Sequence, residues 1–197
     1  MGRLLLATNN PGKVREFRRL LVGAGLEAVT PAELEISLDV EESGSTYAEN
    51  AILKARAFAD AACELAMADD SGIEVDALGG GPGVRSARYG DADLDDAGRT
   101  QLLLQELREV PSGQRTARYR AVIAISDAAG TVHVFEGVQE GSIAEAPRGE
   151  GGFGYDPVFL VADGRTQSEL SNEEKDAISH RGQAVRAAIA FLKGAGA

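Results

Sequence analysis

The stretch LLLATNNPGKVREFRRLL, residues 4–21, changes its period part-way, and that change decides the fold class. Leu4 to Ala7 is an unbroken apolar run of strand length. Thr8-Asn9-Asn10-Pro11-Gly12 has the composition of a turn, and Val14, Phe17, Leu20 and Leu21 then recur at helical spacing. The reading is a short buried strand, a polar turn and a helix opening near Lys13. The same mixture continues along the chain. A second strand is expected around Ala28 and Val29, followed by an acidic stretch from Leu38 to Gly44 that is too polar for a core. Thr46-x-x-Glu49 is a capping box, and it opens a helix predicted to reach about Leu65. Ile52, Ala55 and Ala59 lie on one side of this helix, and Asn50 and Lys54 on the other.

Farther on, Ala66 to Ala68 leads into Asp69-Asp70-Ser71-Gly72, and Ile73 to Leu78 has strand character. A helix is predicted over Asp95 to Val110. Tyr119, Ala121, Ile123 and Ile125 alternate as one face of a strand, with Val132 to Phe135 as its hairpin partner across Asp127 to Gly130. Val158 to Val161 reads as a further strand. Ser171-x-x-Glu174, a second capping box, opens a final helical region to about Lys193, beyond which Gly194 to Ala197 reads as a frayed tail. Strands and helices intermix throughout, so the class is α/β, or α+β with a mixed sheet.

A chain of 197 residues, 44% of them hydrophobic, suffices for one globular unit with a real core. A formal net charge of -11 argues against a nucleic-acid polymer as partner, which requires a basic footprint. It leaves room for a small anion met by a few local cations and a divalent metal. One cysteine, Cys63, precludes an internal disulfide and fits a reducing compartment; it reads as a small buried residue on a helix. The apolar run at Leu4 to Ala7 is too short for a membrane span, so the expected location is the cytoplasm, without membrane attachment.

Four groups of residues carry possible chemistry. Thr8-Asn9-Asn10-Pro11-Gly12-Lys13 places a polar turn and a lysine at a helix N-terminus, a recipe for phosphate binding through free N–H groups and the positive dipole end. It lacks the glycine spacing of a P-loop, and an ordinary capping turn is the plainer alternative. Asp69-Asp70, breaking the end of a buried strand, suits metal binding or general-base work, or else a turn in which Asp bonds its own backbone. Within this same acidic group, Glu41-Glu42 admits the same metal reading beside that of a solvated loop. Lys175, His180 and Arg181 offer cationic and directional donors, or a solvated helix junction.

The fourth group is RGEGGFGYDP, residues 148–157. Gly149, Gly151 and Gly154 satisfy the dinucleotide-binding pattern G-x-G-x-x-G. That pattern needs a strand before it and a helix after it, whereas Tyr155-Asp156-Pro157 here leads to a strand. What remains is a glycine-rich loop bearing Phe153, Gly154, Tyr155 and Asp156, able to admit a flat ligand against an aromatic ring, or serving as a connector.

Taken in order, ATNNPGK, EESGSTYAENAILKAR, ADDSGIEVDALGGGPGVRSARYG, GGFGYDPVF and EEKDAISHRGQA resemble the inosine triphosphate pyrophosphatase family, the XTP/dITP diphosphatases, from about Leu5 to Ala184. The resemblance implies a homodimer of mixed α/β fold, with an elongated mixed sheet, flanking helices and two lobes around a central cleft in one domain. It implies Mg²⁺-dependent hydrolysis of ITP, dITP and XTP to monophosphate and pyrophosphate. Carried over by position, Thr8, Asn9, Asn10, Pro11, Gly12 and Lys13 hold the triphosphate, Asp70 accepts a proton, and Glu41 with Asp70 binds the metal. Ser71, Phe153, Gly154, Tyr155, Asp156, Lys175, His180 and Arg181 are the remaining nucleotide contacts. The choice of Asp70 over Asp69, and of Glu41 over Glu42, comes from the resemblance alone. Lys13 and Lys54 would then offset developing phosphate charge, with Lys54 facing the substrate or, equally, the solvent. Donors on His180 and Arg181 would pair with a 6-oxo purine and be mismatched against adenine.

Overall fold

The computed structural model describes residues 2–195; Gly196 and Ala197 of the expected tail lie outside them. Six strands form one mixed sheet in the order β2-β1-β3-β4-β5-β6: β1 (Gly2–Leu6), β2 (Leu26–Val29), β3 (Ala66–Val75), β4 (Thr116–Ser126), β5 (Val132–Ile143) and β6 (Phe159–Leu160). β1 runs parallel to β2, with Leu5 opposite Val29, and parallel to β3, with Leu6 opposite Met67. β6 pairs antiparallel with β5, Ile143 opposite Phe159. The helices are α1 (Pro11–Leu20), α2 (Tyr47–Ala62), α3 (Asp96–Glu106), α4 (Asn172–Ile178) and α5 (His180–Ala195). The α/β reading with a mixed sheet therefore holds.

The chain divides into two compact units. The first comprises the residues up to Asp70, Ala121–Gly137 and those from Arg181 onward. Its core is built from the apolar run of β1, the helical stripe of α1 and the inward side of α5: Leu4, Leu6, Phe17, Leu21, Met67, Ile123, Ile125 and Val185. The second comprises Ser71–Arg120 and Val138–His180, around Ile73, Val75, Leu103, Leu107, Tyr119, Tyr155 and Phe159. Among the described residues no helix is long and apolar enough to cross a membrane.

Several boundaries differ from the sequence reading for identifiable reasons. α1 opens at Pro11, two residues early, because Asn10 caps it: its Oδ1 accepts from the N–H groups of Gly12 (2.8 Å) and Lys13 (3.1 Å). Proline at the first helical position loses no hydrogen bond there. α2 has the predicted capping box but stops at Ala62, where Cys63 takes a left-handed conformation as its C-cap. Cys63 is thereby exposed rather than buried. β3 runs straight through Asp69-Asp70-Ser71-Gly72, so the acids interrupt neither strand nor core. β6 starts later than expected because residues 156–158 form a 3₁₀ turn, held by the N–H of Val158 donating to the Tyr155 carbonyl (3.0 Å). α5 continues through Gly194, which was expected in the tail.

Candidate functional site

In the first unit, the alternation of β3 sends Asp69 and Asp70 to different partners. Both are buried, at 1% and 5% exposure. Asp69 Oδ2 meets the Lys13 ammonium at 2.6 Å and Arg181 Nη2 at 3.3 Å. Arg181 Nη1 in turn meets Glu16 Oε2 at 2.5 Å, with the guanidinium over the Phe17 ring. Burial alone would raise the Asp69 pKa, but the charges of Arg181 and Lys13 outweigh it and hold the carboxyl well below the usual carboxylate range. Burial likewise disfavours the Arg181 charge, and Asp69 and Glu16 keep it. For Lys13, burial lowers the ammonium from its ordinary value; Asp69 opposes this, and Lys54 and Arg181 add to it.

Asp70 has the opposite character. Burial pushes its carboxyl up, Lys54 and Lys13 work against that, and Glu42 adds to the rise. Lys54 is the hinge of the cluster. Its ammonium lies 2.5 Å from Glu42 Oε1, 2.8 Å from the Asp69 carbonyl and 3.5 Å from Asp70 Oδ1. The expectation of a solvent-facing Lys54 is not met: its side chain is largely buried and paired with Glu42 and Asp70. Asn50, a turn earlier on the same helix face and fully buried, donates to Asp70 Oδ2 (3.1 Å) and accepts from the Gly44 N–H (2.8 Å). A Cβ at residue 44 would stand 2.7 Å from Asn50 Oδ1, so glycine is needed for this approach. Asn50 thus ties the acidic stretch to Asp70. Asn50→Ala strips a partner from both groups, and a drop of about 1–3 kcal/mol in unfolding free energy is expected by urea titration. An unchanged midpoint would show the link to be idle.

The acid of the Glu41-Glu42 pair that reaches this cluster is Glu42; Glu41, to which the resemblance points, is exposed. Glu42 and Asp70 supply hard oxygen donors, with the Lys54 ammonium paired to both. Among the described residues no group of three or more His, Cys, Asp or Glu is gathered for metal binding. Mg²⁺ takes one or two carboxylates from a protein and fills its octahedron with water and substrate phosphate, so the oxygen donors of Glu42 and Asp70 are of the right chemistry. The turn at Thr8 to Lys13 requires a correction of mechanism. Its Gly12 and Lys13 N–H groups are engaged by Asn10, and the Asn10 N–H by Thr8 Oγ1 (3.2 Å). The Lys13 ammonium, together with the helix end, is therefore what this turn offers an anion.

In the second unit the glycine-rich loop is organised around Asp156, which is buried at 3% exposure. Its Oδ2 accepts from the Phe153 N–H (2.9 Å) and from the Lys175 ammonium (2.5 Å), and its Oδ1 from the Tyr119 hydroxyl (3.3 Å). Lys175 lies 5.2 Å from the centroid of the Phe153 ring. Two glycines make this possible by sparing room for the protein itself. Gly152 has φ +76°, and a Cβ on it would meet Asp156 Oδ2 at 2.0 Å; Gly149, at φ +80°, lies against the Ser168 backbone. Tyr155 is a core residue, its hydroxyl donating to the Ser86 carbonyl (2.8 Å), which leaves Phe153 as the half-buried ring of the loop. Ser71 follows Asp70 on β3 and is half-buried. His180 is buried, not solvated, and stacks on Tyr119.

A model of the Ham1 family matches residues 4–191. The chain belongs to the Ham1 family. Among its relatives, a dITP/XTP pyrophosphatase of Symbiobacterium thermophilum is 54% identical over 185 residues, 93% of this chain and 91% of the relative. One of Bacillus subtilis is 46% identical over 94% of both chains. The solved structure of a HAM1 protein from Coxiella burnetii covers 98% of this chain and 100% of its own, with a TM-score of 0.88 and 41% identity. The Ham1 fold thus accounts for the whole arrangement of strands and helices. Residue by residue, Lys13, Lys54, Asp70 and Arg181 come together in the first unit, and Phe153, Asp156, Lys175 and His180 in the second. The sequence motifs do not point to Glu16 or Tyr119; Glu42 is present in them as the alternative to Glu41, and Asn50 by its four-residue spacing from Lys54.

Proposed function

We propose that this chain hydrolyses the non-standard purine nucleoside triphosphates ITP, dITP and XTP to monophosphate and pyrophosphate, by attack of water on the α-phosphorus. The chain is an enzyme of nucleotide metabolism, a hydrolase acting on nucleoside triphosphates, as a Ham1 member with dITP/XTP pyrophosphatases as relatives over nearly its full length. The observation that carries the mechanism is the division of labour between adjacent acids. Asp69 is a fixed counter-ion for Lys13 and Arg181, whereas Asp70, with its pKa raised by burial, is the acid able to exchange a proton. This gives a physical ground for the choice of Asp70 that spacing alone could not.

In this reading Asp70 takes the proton of the attacking water while Asn50 and Lys54 hold its two oxygens. Lys13 and Lys54 offset the negative charge that grows on the α-phosphoryl group and the departing diphosphate. Asp70 with Glu42 or Glu41 would hold Mg²⁺, and the chemistry it would supply is neutralisation of phosphate oxygens and a lowered pKa for water. The purine is assigned to Phe153 and His180, with Asp156 and Lys175 fixing the loop. His180→Ala is expected to narrow the preference for ITP over ATP; an unchanged ratio of kcat/KM would exclude His180 from base choice. The working form is read as a homodimer in the cytoplasm, from the family likeness and the single cysteine. Light scattering that returned the single-chain mass of 20.6 kDa would contradict the dimer.

The test is incubation with Mg²⁺ and ITP, XTP, dUTP, GTP or ATP, followed by product identification. Monophosphate with pyrophosphate from ITP and XTP is expected, and loss of turnover when the metal is chelated. Orthophosphate with IDP would overturn the proposed site of attack, and tight binding without turnover would favour a nucleotide sensor.

A further inference from the structure

Tyr119 belongs to none of the sequence motifs assigned to the nucleotide, yet it touches two residues that are. It lies on β4, 7% exposed, within the second unit. Its ring is parallel to the His180 imidazole, with centroids 4.6 Å apart and an interplanar angle of 10°. Phe159 lies against the same ring at 4.5 Å and 45°. The Tyr119 hydroxyl donates to Asp156 Oδ1 (3.3 Å), whose other oxygen takes Lys175 and the Phe153 N–H.

We propose that Tyr119 is a positioning residue for base selection, setting the plane of the His180 ring and joining it to the Phe153 loop through Asp156. The proposal rests on the reading that His180 and Phe153 receive the purine. An imidazole turns about a soft terminal torsion, and its ring nitrogens donate only within the ring plane. A flat ring stacked on one face, itself backed by Phe159, confines the imidazole to planes parallel to that face. The direction of its donor is then fixed before substrate arrives, which is what discrimination by hydrogen bonding requires. The hydroxyl has a separate task. It donates to Asp156 Oδ1 while Lys175 and the Phe153 N–H donate to Oδ2, so loop and imidazole share one support.

The two tasks separate by substitution. Tyr119→Phe keeps the stack and loses the hydroxyl; it is expected to raise KM for ITP and ATP alike and to leave the ITP/ATP ratio of kcat/KM within about twofold. Tyr119→Leu loses the flat ring, and the ratio is expected to fall by about tenfold or more. A residue serving stability alone would lower the unfolding temperature of both variants without moving that ratio. With two histidines in the chain, the ring-proton signals of His180 can be assigned with His180→Ala, and they are expected to shift in Tyr119→Leu and not in Tyr119→Phe. If Tyr119→Leu does not fold, Tyr119→Met repeats both measurements. A wild-type enzyme active on ITP, with an unchanged ratio in a folded Tyr119→Leu or Tyr119→Met, would overturn this proposal alone. A wild-type chain that leaves ITP intact would overturn the nucleotide reading, and this proposal with it.

Discussion

Replacing Arg181 by alanine is expected to lower the unfolding free energy by about 3–5 kcal/mol, the cost of removing one partner from a buried ionic network. Its guanidinium joins Glu16 to Asp69, and both acids are buried, at 4% and 1% exposure. Alanine removes that cation from both Glu16 and Asp69, while the Lys13 ammonium still meets Asp69. The pH dependence should change in a defined direction. Asp69 has a depressed pKa in the folded state, so its pairing contributes stability above the ordinary carboxylate range, lost as pH falls through the folded value. In Arg181→Ala that contribution shrinks, and the difference from wild type should be large at neutral pH and diminish on acidification. Urea titrations at neutral and acidic pH measure it; a neutral-pH difference below about 1 kcal/mol would contradict the network. Arg181→Lys should recover part of the loss, since an ammonium cannot hold two carboxylates with a planar fork. Because Arg181 is committed to these acids, alanine here perturbs the phosphate side and the fold together. His180→Ala is the cleaner probe of base choice.

Asp70→Asn should do the reverse: leave the fold intact and abolish turnover. Its pKa is raised in the folded state, so the charged form is disfavoured by folding at neutral pH, and a neutral amide relieves that cost. Unfolding stability is expected to be equal to wild type or higher, while kcat falls by about 10²–10⁴-fold through loss of the proton acceptor. In the metal-free protein Asp70 should take up its proton at a higher pH than an unperturbed aspartate. Asp69 remains charged through that window. Turnover within about tenfold of wild type in Asp70→Asn would remove Asp70 from the chemistry. Asp69→Asn supplies the contrast, since it should destabilise the chain.

The alternation of period in residues 4–21 and the two capping boxes were legible in the sequence, because helix and strand spacing and cap chemistry are local. The boundaries at Ala62 and within residues 156–158 were not, since a left-handed cap at Cys63 and a 3₁₀ turn leave no periodic trace. The nucleotide motifs were recognisable by their order, but the partners of each charge were not. Nothing in the spacing of Glu16 and Arg181 reveals that tertiary contact. Composition likewise could not separate Asp69 from Asp70, or Glu41 from Glu42. Which acid meets which cation depends on strand alternation and on Lys54 and Asn50 sharing a helix face. RGEGGFGYDP showed the limit most clearly: its glycines make room for Asp156 and Ser168, protein against protein.

The central claim, water attacking the α-phosphorus with Asp70 as proton acceptor, is tested most directly by turning over ITP in water labelled with heavy oxygen and weighing the products. The label is expected in the monophosphate, with pyrophosphate released unlabelled. Label in the pyrophosphate, or in orthophosphate accompanied by IDP, would contradict it.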